Sequence, residues 1–136
     1  MTVAPHGKIW WSEGWVGKIG ELNIALAVPG TNHGVTEDAD QKVCSRCSTH
    51  TSGMSVDRHG LILFDDAEEA LFGSFPDSGT GSFTTYHTPT ANGHPHDGLQ
   101  VDAQNRIWFD EEFANKLAEA TQAGAPTPTV TPSASR

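Results

Sequence analysis

Short apolar runs bounded by polar turns recur along the chain, and three of them share one pattern. Gly7-Lys8-Ile9-Trp10-Trp11-Ser12-Glu13 aligns with Gly60-Leu61-Ile62-Leu63-Phe64-Asp65-Asp66 and with Asn105-Arg106-Ile107-Trp108-Phe109-Asp110-Glu111. Each frame runs on without a gap into a second apolar run: GKIGEL at 17–22, ALFGSF at 70–75 and NKLAEA at 115–120. Upstream, GMSVD at 53–57 matches GLQVD at 98–102, and Met1 falls in the apolar slot held by Met54 and Leu99. Bulky and β-branched residues between Gly, Asp and Asn punctuation predict strands. They are expected at 8–12, 18–22 and 23–28, at 54–56, 61–64, 70–75 and 83–87, and at 99–101, 106–109 and 116–120.

The aligned segments begin at residues 7, 60 and 105, and so lie 53 and 45 residues apart. A period of roughly 40–50 residues with several short strands per unit is the signature of propeller blades. The expected fold is therefore all-β: a β-propeller with three blade repeats of roughly 45 residues. Rings close with typically 4–8 blades, so three repeats are expected to be a fragment of a six- or seven-bladed ring. The repeats divide the chain into 1–50, 51–90 and 91–124, followed by a Thr/Pro-rich linker at 125–136. Residues 31–50 carry the extra length of the first spacing and read as an irregular polar loop at the propeller rim. The outer strand expected near 128–133 is replaced by Pro126-Thr127-Pro128-Thr129-Val130-Thr131-Pro132, too rich in proline for a ladder strand. Met1 reads as an internal residue of a larger frame, with the missing blades upstream and a further domain after the linker.

Composition narrows the function classes. With 136 residues, net charge −9 and eight Lys and Arg, the chain does not offer a nucleic-acid surface. No apolar run approaches the roughly 18 residues of a membrane span. Cys44-Ser45-Arg46-Cys47 lacks the histidine of a haem attachment, since Ser48 follows it. A disulfide across a short loop agrees with secretion and is the first reading; a zinc site would need both His33 and His50, whose spacing fits no standard finger, and a redox dithiol has no βαβ pattern around it. Thr/Pro linkers of this type tether secreted domains, so the expected setting is extracellular.

GKIWWSE…GKIGEL and HPHDGL…RIWFDEEFANKL resemble the blades of the streptogramin lyase (virginiamycin B lyase-like) family, over most of residues 1–25 and 50–120. The resemblance implies a seven-bladed propeller with a Mg²⁺-dependent site at the funnel mouth. It also implies a lyase that opens the lactone ring of a cyclic depsipeptide by β-elimination, without water. A histidine and a glutamate carry that chemistry, with a second histidine one blade earlier. The glutamate slot falls on Glu111, with Glu13 and Asp66 in the same slot of the other repeats. The histidine slot falls on Asp97, with His96 one residue before it; the slot one blade earlier holds Ser52, with His50 two residues before.

Elimination beside a carbonyl needs a base for the Cα proton, an acid for the leaving group and an electrophile for the enolate. His96 and His94 are the acid/base candidates. Glu111 is the expected oxygen ligand for Mg²⁺, with Asp110 and Asp66 beside it. Each residue also has a plain structural reading. His94-Pro95-His96 can be a polar loop whose imidazoles cap backbone groups. Glu111 and Glu112 can be a solvated turn paired to Lys116. Trp10, Trp11, Trp108 and Phe109 can be inter-blade core or a ligand platform. Three functions thus stand side by side: a carbon–oxygen lyase on a cyclic peptide lactone or related ester; a non-catalytic secreted propeller binding a surface protein or polysaccharide; and a three-blade unit whose homodimer closes a ring.

Overall fold

The computed structural model describes residues 1–39, 48–78 and 83–121. Cys44, Cys47 and the Thr/Pro stretch lie outside the described residues. Among the described residues eleven strands form three antiparallel sheets. The first contains β1 (Thr2–Ala4), β2 (Lys8–Ser12), β3 (Lys18–Asn23) and β4 (Val35–Ala39); the second β5 (Thr51–Val56), β6 (Leu61–Asp66), β7 (Leu71–Pro76) and β8 (Thr84–His87). The third contains β9 (Gln100–Val101), β10 (Arg106–Glu111) and β11 (Lys116–Thr121). Each sheet is an up-and-down meander, and β5 packs against β1 and β2 on one side and β9 on the other. Among the described residues no helix is long and apolar enough to cross a membrane.

The period-two alternation of a strand explains how one sheet serves two interfaces. Ile62 and Phe64 of β6 join Trp10, Ile19, Met54, Leu71 and Phe75 in the core between the first and second sheets. Leu63, one residue out of phase, joins Phe72, Leu99, Ile107, Phe109 and Ala118 between the second and third. The register repeats as well: Trp10 pairs with Glu21, Leu63 with Ser74 and Trp108 with Glu119. Gly20 and Gly73 are needed for close approach, because a Cβ there would run into the rings of Trp11 and Phe64 respectively.

Two expectations about the first repeat are corrected. Residues 23–28 do not form its outer strand. The Asn23 side chain accepts from the Ala25 N–H and starts a 3-10 turn over Ile24–Leu26, diverting the backbone from the ladder, and Pro29-Gly30 then turns the chain. The outer strand is instead β4, pairing from Leu22↔Val35 to Lys18↔Ala39, inside the stretch expected to be an irregular rim loop. Gly34 (φ +89°) allows this, with its open Cα side against the Asn23 carbonyl.

At one end of the sheets, matched turns tie the second and third together. Asp57 accepts from the N–H groups of His59 and Leu61, and Asp102 does the same for Gln104 and Arg106. Arg58 N–H then donates to Asn105 across the gap, 2.9 Å. At the same end Asp77 of the second sheet, buried, accepts from Trp10 Nε1 (2.9 Å) and meets His6 Nδ1 (2.6 Å). Burial would raise the Asp77 pKa, but the hydrogen bonds from Trp10 and His6 prevail and hold it below the usual carboxylate range.

Candidate functional site: a histidine row at the far end of the sheets

The opposite end is built from the loops that enter β5 and β9 and those that leave β2, β6 and β10. Carboxylates at the ends of β6 and β10 hold the entering loops. Asp66 accepts from Thr49 Oγ1 (2.5 Å), His50 N (3.1 Å) and Glu69 N (3.1 Å). Glu111, in the same slot of the next repeat, is buried and accepts from Thr90 N (2.8 Å) and Thr90 Oγ1 (2.7 Å). Asp110 accepts from His96 N at 3.0 Å. Asn92, His94 and Asp97 all have φ between +55° and +62°, left-handed conformations that non-glycine residues seldom adopt and that gather at functional loops.

These restraints set five rings in a line. Trp15 stacks on His50 with centroids 4.1 Å apart and planes 2° from parallel. His50 lies 5.0 Å from His96, and His96 lies 5.7 Å from His94. Phe113 closes the row, stacked 3.9 Å from His94 at 8°. Trp15 and Phe113 are 67% and 72% exposed, so the row ends in two solvent-facing aromatic surfaces. Carboxylates face it: Glu112 lies 3.2 Å from His94 Nδ1 and 3.9 Å from His96 Nδ1, Glu68 3.6 Å from His94 Nε2, and Asp97 3.8 Å from His96 Nδ1.

Beneath the row, a chain of hydrogen bonds connects all three sheets. Ser12 Oγ donates to the Ser52 carbonyl (2.7 Å), Ser52 Oγ donates to Asp65 (2.7 Å), and Asp97 N donates to Ser52 Oγ (3.2 Å). Asp65 also accepts from Gly53 N, while its Oδ2 is buried with no hydrogen-bond partner among the described residues. Burial raises its pKa to about 6 against the Ser52 and Gly53 hydrogen bonds, and the nearby Asp110 and Asp97 charges push the same way.

The structure therefore brings His94 and His96 together and gives the expected oxygen ligands another job. Asp66, Asp110 and Glu111 each hold a loop backbone, and Glu111 is not a solvated partner of Lys116: it is buried, while Lys116 donates to Thr90. Mg²⁺ wants an octahedron of free oxygens. Both Glu111 oxygens and both Asp66 oxygens are already engaged, and no three acidic or imidazole groups among the described residues converge on a point that could hold a metal ion. As they stand, Glu111 and Asp66 have no oxygen free of a hydrogen bond to offer the cation. Sequence reasoning did not single out Trp15, Glu68 and Phe113. Their signal was present, since each stands two residues after the aligned Glu13, Asp66 and Glu111 and all three turn into the row.

Fold and site together define a propeller-like stack of antiparallel sheets with a polar, aromatic-flanked rim. Solved structures that it resembles include virginiamycin B lyase and streptogramin B lyase. Selenomethionine-substituted virginiamycin B lyase from Staphylococcus aureus matches with TM-score 0.72 at 22% identity, over 89% of this chain and 36% of that one. A catalytically inactive histidine-to-alanine variant of the S. aureus enzyme with quinupristin matches with TM-score 0.63 at 18% identity, over 90% of this chain and 40% of that one. A streptogramin B lyase structure matches with TM-score 0.64 at 23% identity, over 89% of this chain and 39% of that one. The chain thus spans less than half the length of the structures it matches. No protein-family model matches it, nor does any curated protein.

Proposed function

We propose that the chain supplies three blades of a six- or seven-bladed propeller, and that its histidine row opens a cyclic peptide lactone or related ester by β-elimination. The observation that carries this reading is the convergence of His50, His96 and His94 at one rim of a fold shared with streptogramin B lyases, one of which is inactive as a histidine-to-alanine variant. In the step, a base removes the proton on Cα, a carbon–carbon double bond forms, the Cβ–O bond breaks, and the ester oxygen leaves as a carboxylate; no water is consumed. In this reading His96, the more open of the pair, takes the proton. His94, with a carboxylate facing each ring nitrogen, then carries one to the leaving group. Trp15 and Phe113 offer flat surfaces for the ligand's apolar groups. Acid–base assistance of this kind is worth about 10²–10⁴-fold.

The test is to incubate the purified chain with quinupristin, with and without added Mg²⁺, and follow the products by mass spectrometry. A ring-opened isomer of unchanged mass is expected, lost at least a hundredfold in His96→Ala. An intact lactone under all conditions, or a product that has gained one water, contradicts the reading. The two exposed aromatics also favour a second reading, a non-catalytic secreted module that binds a surface protein or polysaccharide. Under that reading quinupristin stays intact, and oligosaccharides quench the Trp15 fluorescence.

A further inference from the structure

At the end of the sheets away from the histidines, the two inter-sheet clefts are built from matching slots but filled differently. Between the first and second sheets, Trp10 and Phe75 meet edge to face, with centroids 5.0 Å apart at 70°. One repeat later the register puts Leu63 in the Trp10 slot, Ser74 in the Glu21 slot and Ala120 in the Phe75 slot. Two ring-bearing side chains are thus replaced by an isobutyl and a methyl group. The space they would fill is open: a cleft of about 460 Å³ lies between Leu61, Leu63 and Phe72 on one wall and Ile107 and Ala120 on the other.

We propose that this cleft is a binding site for a small, uncharged, planar aromatic molecule about the size of an indole. Its volume lies in the range of small-molecule pockets, about 300–1,000 Å³. Among the described residues no carboxylate, amine or imidazole lines it, so a charged ligand would be buried there without a counter-charge. Phe72 stacks on Tyr86 (5.0 Å, 19°) and lies 5.0 Å from Phe109, giving the pocket an aromatic wall suited to a further ring. Ser74, Thr121 and the phenol of Tyr86 are its polar lining groups, and the half-exposed Tyr86 and exposed Thr121 form its mouth. The site is distinct from the histidine row, since none of its lining residues belongs to that row.

Indole titrated into the full chain, followed by calorimetry and by the Ala120 methyl resonance, is the test. Saturable binding is expected, weakened at least tenfold in Leu63→Trp, which restores the ring found in the sister cleft. Should Leu63→Trp fail to fold, Ala120→Phe fills the same space from the opposite wall and is expected to give the same loss. The proposal is overturned if the full chain shows no saturable indole binding, or if a folded filling variant binds as tightly as the wild type. It is equally overturned if a 1–121 chain binds indole and the full chain does not, since the polypeptide beyond Thr121 would then be the occupant.

Discussion

The second sheet has two covered faces, and they are finished differently. Toward the first sheet, Trp10, Phe64 and Phe75 interlock, and the buried Trp10 N–H is tied across the interface to Asp77. Toward the third sheet the same register leaves a hollow where the rings would be. Trp108, in the Trp10 slot of the third sheet, shows what the slot does with no sheet over it among the described residues. Its N–H goes to Asp102 of its own sheet, and the Arg106 guanidinium lies 5.0 Å from its ring centroid. Repeated register fixes how the sheets stack, while the volume in one slot decides whether an interface is sealed, hollow or closed over by its own polar groups.

That contrast can be broken at its strongest point first. Trp10→Ala removes the largest fully buried side chain and is expected to cost about 3–5 kcal/mol in urea denaturation. Trp108→Ala, in the same slot but only half-buried, is expected to cost less than about 1.5 kcal/mol. Equal costs for the two would mean that the slot, rather than its cover, sets the energy.

Acidity separates the carboxylates next. Asp65 is raised to about 6, so its charged form opposes folding above that value, and stability from this group rises as pH falls from about 6 towards 4. Asp77 and Asp102 are lowered, the latter to about 2 by its Trp108 and Arg106 hydrogen bonds despite the opposing effect of burial, so the stability they give is present above pH 4 and lost below it. Thermal melts are expected to be highest near pH 4–5, and Asp65→Asn is expected to flatten the limb between pH 5 and 7 by about 1–3 kcal/mol. A profile that rises steadily from pH 5 to 7 would contradict this assignment.

Asp77→Ala leaves the buried Trp10 N–H without its acceptor and is expected to cost about 1–3 kcal/mol, less than Trp10→Ala. An Asp77→Ala protein as stable as the wild type would contradict the contrast.

The repeat was legible in the sequence because the alternation Ile-Trp-Trp, Ile-Leu-Phe and Ile-Trp-Phe encodes both faces of each sheet in three residues. Most predicted strands fall on real ones for that reason. The outer strand of the first sheet was not legible, because Ile24 to Val28 looks more β-like than Val35-Thr-Glu-Asp-Ala39, and an Asn side chain captured by its own backbone outweighs that local preference. At the site, the resemblance put the histidine slot on Asp97, and His96 and His94 entered as its neighbours in the same loop. His50 reaches them only through the stacking of neighbouring sheets, and Glu111 looked like a ligand because its commitment to Thr90, twenty-one residues earlier, is a tertiary fact. The Trp15, Glu68 and Phe113 slot was readable in principle, but one acidic member among two aromatics hides the repeat.

The most direct test of the account is whether the row acts as one site. Histidine ring resonances of the full chain, assigned by single substitutions, would be followed as quinupristin is added. His50, His94 and His96 are expected to shift together with the Trp15 indole along one saturation curve, while His6 and His59 at the other end stay still. Shifts confined to a single histidine, or appearing first at His6 or His59, would contradict the account.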